Sequence, residues 1–390
     1  MNLLGAAPAA SYCAALKGGA VVAITSGQQL DQQDERPLVL LFYDGYERRA
    51  RPGFSDAAFS QSHRFTRYVY KKVRRQQPRT GFYVWFLMLC EALRRQGCDV
   101  RINDFAQAAQ SPNYPIGAAG YPSVIEAVGS LPNPRLLGPG LHTSPLEAEG
   151  VCDDPRNVLA LYTCDWHTDV FAPVYGDRIR PWFGGFDVSR FTDARGLPKT
   201  CDVLIYDKIY FNREHFYPAT IGRFISMLEQ RGLSYRVMRY GAHHYDDYIA
   251  ALRTSRCMAF FAHQGTQGMA YQECLASNVP IFAWDEGTWP SPVVEELNRG
   301  PIACTSVPYF DARCGVTFTI ENMGSLWDGF FRSLDSFEPR QFVAERLTLP
   351  ESAALYLRAY REVAIRWDGS RARAPAPSAT ASASRDCQNA

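Results

Sequence analysis

Short apolar runs alternate with longer amphipathic segments along most of the chain. The unbroken runs have the composition of strands buried on both faces of a parallel sheet, and they are Leu38–Tyr43, Val158–Tyr162, Val203–Tyr206 and Met258–Ala262. Patterns typical of helices lie between the runs, at 83–96, 214–231 and 245–254. This alternation predicts an α/β fold made of doubly wound parallel sheets.

The alternation breaks once, between residues 182 and 199, where glycine and proline make the sequence irregular. We therefore expect two Rossmann-like domains, at 37–190 and 195–345, with a linker between them. Residues 346–368 are expected to form a terminal helix that packs back across both domains.

Three further stretches are expected to lack long elements. Residues 1–36 predict a loosely ordered lead, and the stretch 117–139, rich in glycine and proline, predicts loops with short elements. The tail 369–390 consists mostly of Ser, Ala, Arg and Pro, which cannot bury a core, so it is expected to be disordered.

The composition fits a globular protein of the cytoplasm. The 390 residues are 46% hydrophobic and 21% charged, and the formal net charge of +1 argues against a surface built for nucleic acid. The 11 cysteines form no C-x-x-C pair, which favours a reducing compartment. We find neither an apolar run long enough to span a membrane nor a signal-peptide pattern.

Residues 257–284 combine a strand, a polar glycine loop and the start of a helix. An apolar run is followed by the loop His263–Gly268, a helical pattern begins at Met269, and a second apolar run spans Val279–Trp284. The first N–H groups of a helix lack intrahelical partners and bind anions. Glu273, one turn into the helix, would offer a carboxylate to hydroxyl groups of the same ligand. Phosphate beside a diol indicates a nucleotide or a nucleotide-sugar.

The same segment resembles the donor-binding motif of the retaining group 1 glycosyltransferases. In that motif two Glu flank a Gln-Gly or Phe-Gly pair, and here Thr266-Gln267-Gly268 and the run from Glu273 onward match it. Gly265 stands where the first Glu is expected, and that carboxylate usually lies near the donor sugar. Further likenesses to bacterial members cover most of residues 38–365 and include 115–122, 137–141, 182–187 and 307–311.

The resemblance implies the GT-B fold and transfer of a sugar from a nucleotide-diphospho-sugar to an acceptor hydroxyl, with retention of anomeric configuration. By resemblance Glu273 would hold the ribose hydroxyls, and Lys208 and Arg213 would meet the donor diphosphate. The expected donor-binding residues are Lys208, Arg213, Gly265, Thr266, Gln267, Gly268, Met269 and Glu273. The alternatives are a solvated helix residue for Glu273, an ordinary loop glycine for Gly268 and a surface lysine for Lys208.

Candidates for the acceptor side lie in the first domain. Gly81, just before the first predicted helix, would by resemblance belong to a glycine loop that faces the donor phosphates and the acceptor. His142, Asp165 and His167 fall at ends of predicted strands, where the sites of such sheets lie. His142 is also expected on the acceptor side, and His142 and Asp165 are the catalytic candidates. The alternative for each is a hydrogen-bonded structural residue.

Asp285 and Glu286, which follow the run 279–284, either reach the donor sugar or cap the next turn. The sequence has no Asp-x-Asp motif, so a metal is not expected. No cofactor is expected, because the nucleotide-diphospho-sugar would be a substrate. The acceptor stays open among a glycan, a lipid-linked molecule and a small molecule. A non-catalytic nucleotide-sugar-binding protein and a GT-B nucleotide-sugar epimerase remain alternative functions.

Residues 63–79 contain seven Lys or Arg and no acid, interleaved with aromatic and β-branched residues. An exposed basic helix is the simplest interpretation. A peripheral contact with the inner face of the membrane is the alternative, because basic residues bind anionic lipid. Nucleic acid is not expected as a partner, because no nucleic-acid-binding module is recognisable.

Overall fold

The computed structural model describes residues 36–45, 47–51, 81–289 and 301–367, together with a few positions between 62 and 70. The predictions for the lead 1–36, apart from Arg36, for the tail 369–390 and for most of the basic segment lie outside these residues. The described chain contains two parallel sheets, of six and five strands, in one compact unit that begins at Pro37. We call the parts built around these sheets the first half and the second half.

The first half alternates strands with helices. Its strands are β1 (Leu38–Asp44), β2 (Asp99–Ile102), β3 (Ile116–Gly120), β4 (Arg135–Gly140), β5 (Asn157–Tyr162) and β6 (Ile179–Pro181). Its helices are α1 (Gly81–Arg95), α2 (Phe105–Gln110), α3 (Ser123–Ala127) and α4 (Asp165–Tyr175). All strand pairs are parallel, in the order β2-β1-β3-β4-β5-β6, so the strand order reverses between β1 and β3.

The second half repeats this plan. Its strands are β7 (Cys201–Asp207), β8 (Tyr235–Arg239), β9 (Ser255–Phe261), β10 (Ile281–Trp284), the short antiparallel pair β11 (Thr288–Trp289) and β12 (Ile302–Ala303), and β13 (Gly315–Phe318). Its helices are α5 (Arg213–Tyr217), α6 (Arg223–Gln230), α7 (Tyr245–Thr254), α8 (Met269–Ala276), α9 (Met323–Arg332) and α10 (Pro339–Arg346). The parallel order β13-β10-β9-β7-β8 reverses between β7 and β9.

The terminal helix α11 (Leu349–Arg366) returns the chain to the first half. Helix α10 packs on α8 of the second half, whereas α11 packs on α1 and on strands β4 and β5. Thr348 caps α11 by accepting a hydrogen bond from the Glu351 N–H. The buried Tyr360 hydroxyl donates to the Pro115 carbonyl and accepts the Leu40 N–H. The predicted two Rossmann-like halves and the crossing helix are therefore confirmed.

The prediction of loops with short elements for residues 117–139 underestimates the regular structure of this stretch. Strands β3 and β4 lie in this stretch and occupy the middle of the first sheet. Glycine usually indicates a turn, but Gly117 lies in a strand at a position where packing leaves no room for a side chain. A Cβ on Gly117 would overlap the hydroxyl of Tyr356 from α11, and would lie 2.9 Å from Leu41 Cδ2. A glycine in a strand marks such a close approach.

Two other predictions need refinement. The single helix expected at 214–231 is divided into α5 and α6 by a π-helical turn at Pro218–Gly222, which begins at the proline. The linker is irregular as expected, but its side chains Trp182, Phe183 and Phe186 are buried in the cores. The domain bounds at 190 and 195 stay predictions, because both halves share one compact unit.

We expect Gly117→Ala to lower the free energy of unfolding by about 1–3 kcal/mol, because the new methyl group meets the Tyr356 hydroxyl and Leu41. That hydroxyl is buried, and no described residue is its hydrogen-bond partner. Tyr356→Phe should therefore be tolerated, and should restore part of the stability lost in Gly117→Ala. Denaturant unfolding of both single variants and the double variant measures this coupling. Equal stability of Gly117→Ala and the unchanged protein would contradict the expectation.

Candidate functional site

The candidate site lies where strand order reverses in the second sheet. Ligands of such sheets bind outside the carboxyl ends of the strands at this point. Lys208 follows β7, and the loop His263–Gly268 follows β9 and leads into α8, a helix of eight residues. The structure therefore places several of the predicted donor-binding residues around one topological switch point.

Gly268 starts α8 in a left-handed conformation, with φ of +78°. A Cβ at this position would overlap the ring of Tyr271, whose hydroxyl donates to the Pro308 carbonyl. The start of the helix itself therefore requires glycine. No side chain caps α8, so the N–H groups of its first turn are available to an anion.

Gly265 has no room for the carboxylate that the resemblance leads one to expect. A Cβ on Gly265 would lie 2.6 Å from the Ser306 carbonyl oxygen and 3.3 Å from the Pro308 ring. The Gly265 N–H donates to the Thr305 carbonyl at 3.0 Å. Backbone atoms of 305–308 thus occupy the space that a side chain at this position would need.

Gln267 connects the glycine loop to the segment between the two sheets. Its buried side-chain oxygen accepts the Gly184 N–H at 2.7 Å, and its amide donates to the Gly184 carbonyl at 2.7 Å. The same amide also donates to Gln272 Oε1 at 3.0 Å. Both amide hydrogens of Gln267 are therefore used within the protein. Any contact of this residue with a bound nucleotide-sugar would be made by its backbone.

Two residues of the first half hold carbonyl groups of the glycine loop. Thr163, directly after β5, donates to the Thr266 carbonyl at 2.9 Å, and Trp166 Nε1 donates to the Gly265 carbonyl at 3.0 Å. The carboxyl end of the first sheet thus meets the loop of the second. Neither residue is among the candidates predicted from the sequence, although both lie just beyond the end of the predicted strand Val158–Tyr162.

Lys208 is a half-buried lysine that directly follows β7. Its backbone N–H donates to the Phe261 carbonyl at 2.8 Å, which fixes the residue beside β9. Its Nζ lies 5.8 Å from the centroid of the Tyr240 ring, and no described carboxylate forms a salt bridge with it. Burial lowers the pKa of Lys208. An anion that entered here would provide the missing partner.

Arg213 is already paired within the protein. Its guanidinium contacts both carboxylate oxygens of the buried Asp207, at 2.7 and 2.6 Å, and lies over the Tyr217 ring at 4.4 Å. Asp207 would be left as a buried, uncompensated charge if Arg213 turned toward a ligand. Of the two predicted cations, Lys208 is therefore the one available to a diphosphate.

Glu273 is half-buried and is not held in an ion pair with any described residue. The Tyr245 hydroxyl donates to its carboxylate at 3.3 Å. Burial raises the pKa of Glu273 to about 8, and the hydrogen bond from Tyr245 only partly opposes this effect. A carboxyl group kept in a desolvated position without a cation is typical of a functional site.

Tyr206 relates Glu273 to Lys208. This buried residue lies near the end of β7, and burial raises its pKa, with further contributions from Glu273, Tyr240 and Tyr210. Both Glu273 and Tyr240 are thus within electrostatic range of one phenol, and Lys208 lies over the same Tyr240 ring. Tyr240 lies at the carboxyl end of β7, where its N–H donates to the Asp207 carbonyl at 2.8 Å.

Two of the first-half candidates, His142 and His167, make side-chain hydrogen bonds within the first half. His142 Nδ1 contacts the Tyr175 hydroxyl at 3.2 Å, and burial lowers its pKa. His167 Nδ1 contacts Thr163 Oγ1 at 3.3 Å, and burial lowers its pKa to about 4, so it is neutral at pH 7. Asp165 is the exposed first residue of α4. His167 thereby orients Thr163, which holds the glycine loop.

The structure favours the capping role for the two acids after β10. Asp285 accepts the Thr305 hydroxyl at 2.5 Å, and Glu286 accepts Trp284 Nε1 at 2.7 Å. Both carboxylates thus stabilise the segments next to the loop. Met269 is half-buried against the apolar cores of both halves, and Gly81 is exposed at the first residue of α1.

Within the described part of the chain, no three His, Cys, Asp or Glu side chains are grouped so that they could hold a metal ion. The described helices include none with both the length and the apolar character needed to span a membrane.

Comparison with known proteins identifies the fold. No protein-family model and no curated protein matches the chain. Sucrose-phosphate synthase from Thermosynechococcus elongatus superimposes with a TM-score of 0.51 at 10% identity, covering 84% of this chain and 99% of that one. The two-sheet architecture and this match, which covers nearly the whole synthase chain, show the GT-B fold of glycosyltransferases. This is the fold that the resemblance implied.

Other solved structures also match. Anabaena HepE, solved with UDP and glucose, has a TM-score of 0.44 at 12% identity and covers 83% of this chain and 99% of that one. TarM has a TM-score of 0.42 at 9% identity and covers 63% of this chain. The chain spans 54% of the length of TarM.

We expect Gly265→Glu to lower the free energy of unfolding by about 1–3 kcal/mol and to add no activity, because its Cβ would press on the Ser306 carbonyl. Gly196→Ala is the matched control, since no atom lies within 4 Å of a Cβ at that exposed position. Thermal unfolding of both variants measures the effect. Equal stability of the two variants would contradict the proposed crowding at Gly265.

The raised pKa of Glu273 predicts a pH-dependent effect of Glu273→Gln. The folded protein holds this proton more tightly than the unfolded chain, with a pKa of about 8 against the usual 4.5. The unchanged protein therefore loses stability as the pH rises through this window. Glu273→Gln lacks this loss, so its stability relative to the unchanged protein should increase from pH 4.5 to pH 8. Thermal unfolding across this range tests the sign, and a constant difference would refute it.

Proposed function

We propose that the protein is a glycosyltransferase that moves a sugar from a nucleotide-diphospho-sugar to an acceptor hydroxyl. The observation that carries the proposal is the group of polar features at the switch point of the second sheet that have no oppositely charged partner among the described residues. The Lys208 ammonium and the uncapped start of α8 suit a diphosphate. Glu273 has acceptor capacity for the hydroxyls of a ribose. The GT-B fold supports the same function.

In the proposed reaction, the bond between the anomeric carbon and the diphosphate oxygen breaks, and a bond to the acceptor oxygen forms. The bonding electrons leave with the nucleoside diphosphate, and the acceptor hydroxyl gives up its proton to the leaving phosphate or to solvent. Lys208 and the N–H groups of α8 would stabilise the negative charge that develops on the leaving group. Retention of configuration belongs to the proposal because of the family resemblance alone, and independence of a metal because the sequence has no Asp-x-Asp motif.

Gly265 favours one alternative function. Because this position offers no carboxylate and has no space for one, the protein could bind a nucleotide-sugar without transferring the sugar. A panel of nucleotide-sugars, screened by thermal shift, identifies a donor, since a ligand of the folded state raises the melting temperature. Release of nucleoside diphosphate in the presence of cell extract as acceptor then distinguishes transfer from binding alone.

Lys208→Ala should weaken the binding of a nucleoside diphosphate by about tenfold to a hundredfold, because it removes the charged partner of the phosphates. Lys199→Ala is the matched control: this lysine is also half-buried in the second half, and its Nζ donates to the Arg253 carbonyl. The nucleoside without phosphates should bind both variants equally. Calorimetric titration measures the affinities, and an unchanged Kd in Lys208→Ala would rule out its role at the diphosphate.

The structure does not test the expected cytoplasmic location or the expected membrane contact of residues 63–79. The described residues of the basic segment, at 65–66 and 68–70, are exposed. A peripheral membrane contact therefore stays a prediction, together with the cytoplasmic location.

A further inference from the structure

Two tryptophans, one from each half, meet beside the glycine loop. Trp166 lies in the first turn of α4, and Trp289 lies in β11, beyond the carboxyl end of β10. Their ring centroids are 6.2 Å apart, with an angle of 84° between the planes. Because Trp166 Nε1 also donates to the Gly265 carbonyl, the pair is fixed next to the loop that leads into α8.

Both indoles are held in place yet remain partly exposed. Trp289 is part of the antiparallel ladder with β12, in which it pairs with Ile302. In an edge-to-face pair, the ring that contributes its edge keeps both of its faces outside the pair. Neither tryptophan belongs to the buried cores. A rigid aromatic surface of this kind can receive a flat, weakly polar ligand face with little loss of side-chain entropy.

Two acidic residues lie beside Trp166 on the same helix. Asp165 and Asp169 are exposed on the first turns of α4, next to Trp166, and Asp169 contributes to raising the pKa of Asp165 after the larger effect of burial. Carboxylates accept hydrogen bonds from hydroxyl groups. They also disfavour an acceptor that carries its own negative charge, such as an anionic lipid headgroup.

We propose that Trp166 and Trp289 form the acceptor subsite and that the acceptor is a neutral pyranoside, whose apolar C–H face packs on the indoles. This inference rests on the proposed function, and it assigns one class of acceptor to the proposed transferase. The pyranose hydroxyls at the ring edge match the neighbouring carboxylates. The glycine loop, which the Trp166 indole supports, places the donor site directly beside this surface.

The test measures sugar binding separately from donor binding. Saturation-transfer NMR with neutral methyl pyranosides and short oligosaccharides is carried out on the full chain with nucleoside diphosphate present. Trp289→Ala should weaken sugar binding by about tenfold, whereas Trp289→Phe, which keeps an aromatic face, should weaken it by about twofold to threefold. Affinity for the nucleoside diphosphate should stay unchanged in both variants.

Trp367→Ala is the matched control. Trp367 is also partly exposed and makes one side-chain hydrogen bond, from Nε1 to Asn113 Oδ1 at 3.3 Å, but it lies at the end of α11. Its replacement should leave sugar binding as it is. Thermal unfolding of each variant shows whether the fold is retained.

The outcomes separate the two proposals. If the unchanged protein binds no pyranoside, or if Trp289→Ala binds sugars normally, the carbohydrate acceptor is excluded while the transferase remains. If no nucleotide-sugar or nucleoside diphosphate binds, the proposed function itself is wrong. Sugar binding that depends on Trp289 supports the acceptor subsite.

Discussion

The whole site depends on how the first half holds the glycine loop of the second. Residues 265–268 have no ion pair or disulfide of their own to fix them. The carbonyls of Gly265 and Thr266 accept hydrogen bonds from Trp166 and Thr163, and Gln267 pairs twice with the backbone of Gly184. These contacts orient the start of α8 and therefore the N–H groups offered to an anion. A site that local sequence attributes to one domain is thus built by both.

The polar groups of this site are arranged at the expense of stability. Lys208 has no carboxylate among the described residues, and Glu273 has a hydroxyl where a cation would lower its pKa. Groups left desolvated without a charged partner destabilise a folded protein unless a ligand completes them. The apolar packing of the cores, which includes the fully buried Trp182, Trp284 and Trp327, offsets that loss elsewhere.

Local patterns were sufficient to predict some strands of both sheets, among them β1, β5, β7 and β9, because unbroken apolar runs are required wherever both faces of a sheet are covered. They failed where a distant contact determines the residue. Position 117 requires glycine because the Tyr356 hydroxyl, from the terminal helix, occupies the space of a Cβ. Gln267 matches a donor motif, yet its side chain is used by Gly184, 83 residues earlier in the chain. Arg213 was predicted to meet the diphosphate, because its ion pair with Asp207 depends on the fold of the turn and is not visible in the local sequence.

Gly265 stands where the donor motif has a Glu, and this difference affects several contacts of the loop as well as removing one carboxylate. Its missing side chain allows the backbone of 305–308 to close over the loop, and its carbonyl receives the Trp166 indole. A Glu at this position would displace the first of these contacts. Transfer in this protein would accordingly depend on charge stabilisation at the leaving diphosphate, by Lys208 and α8, more than on a carboxylate beside the sugar. The structure thus relates an unusual residue in the donor motif to the aromatic support that the first half provides.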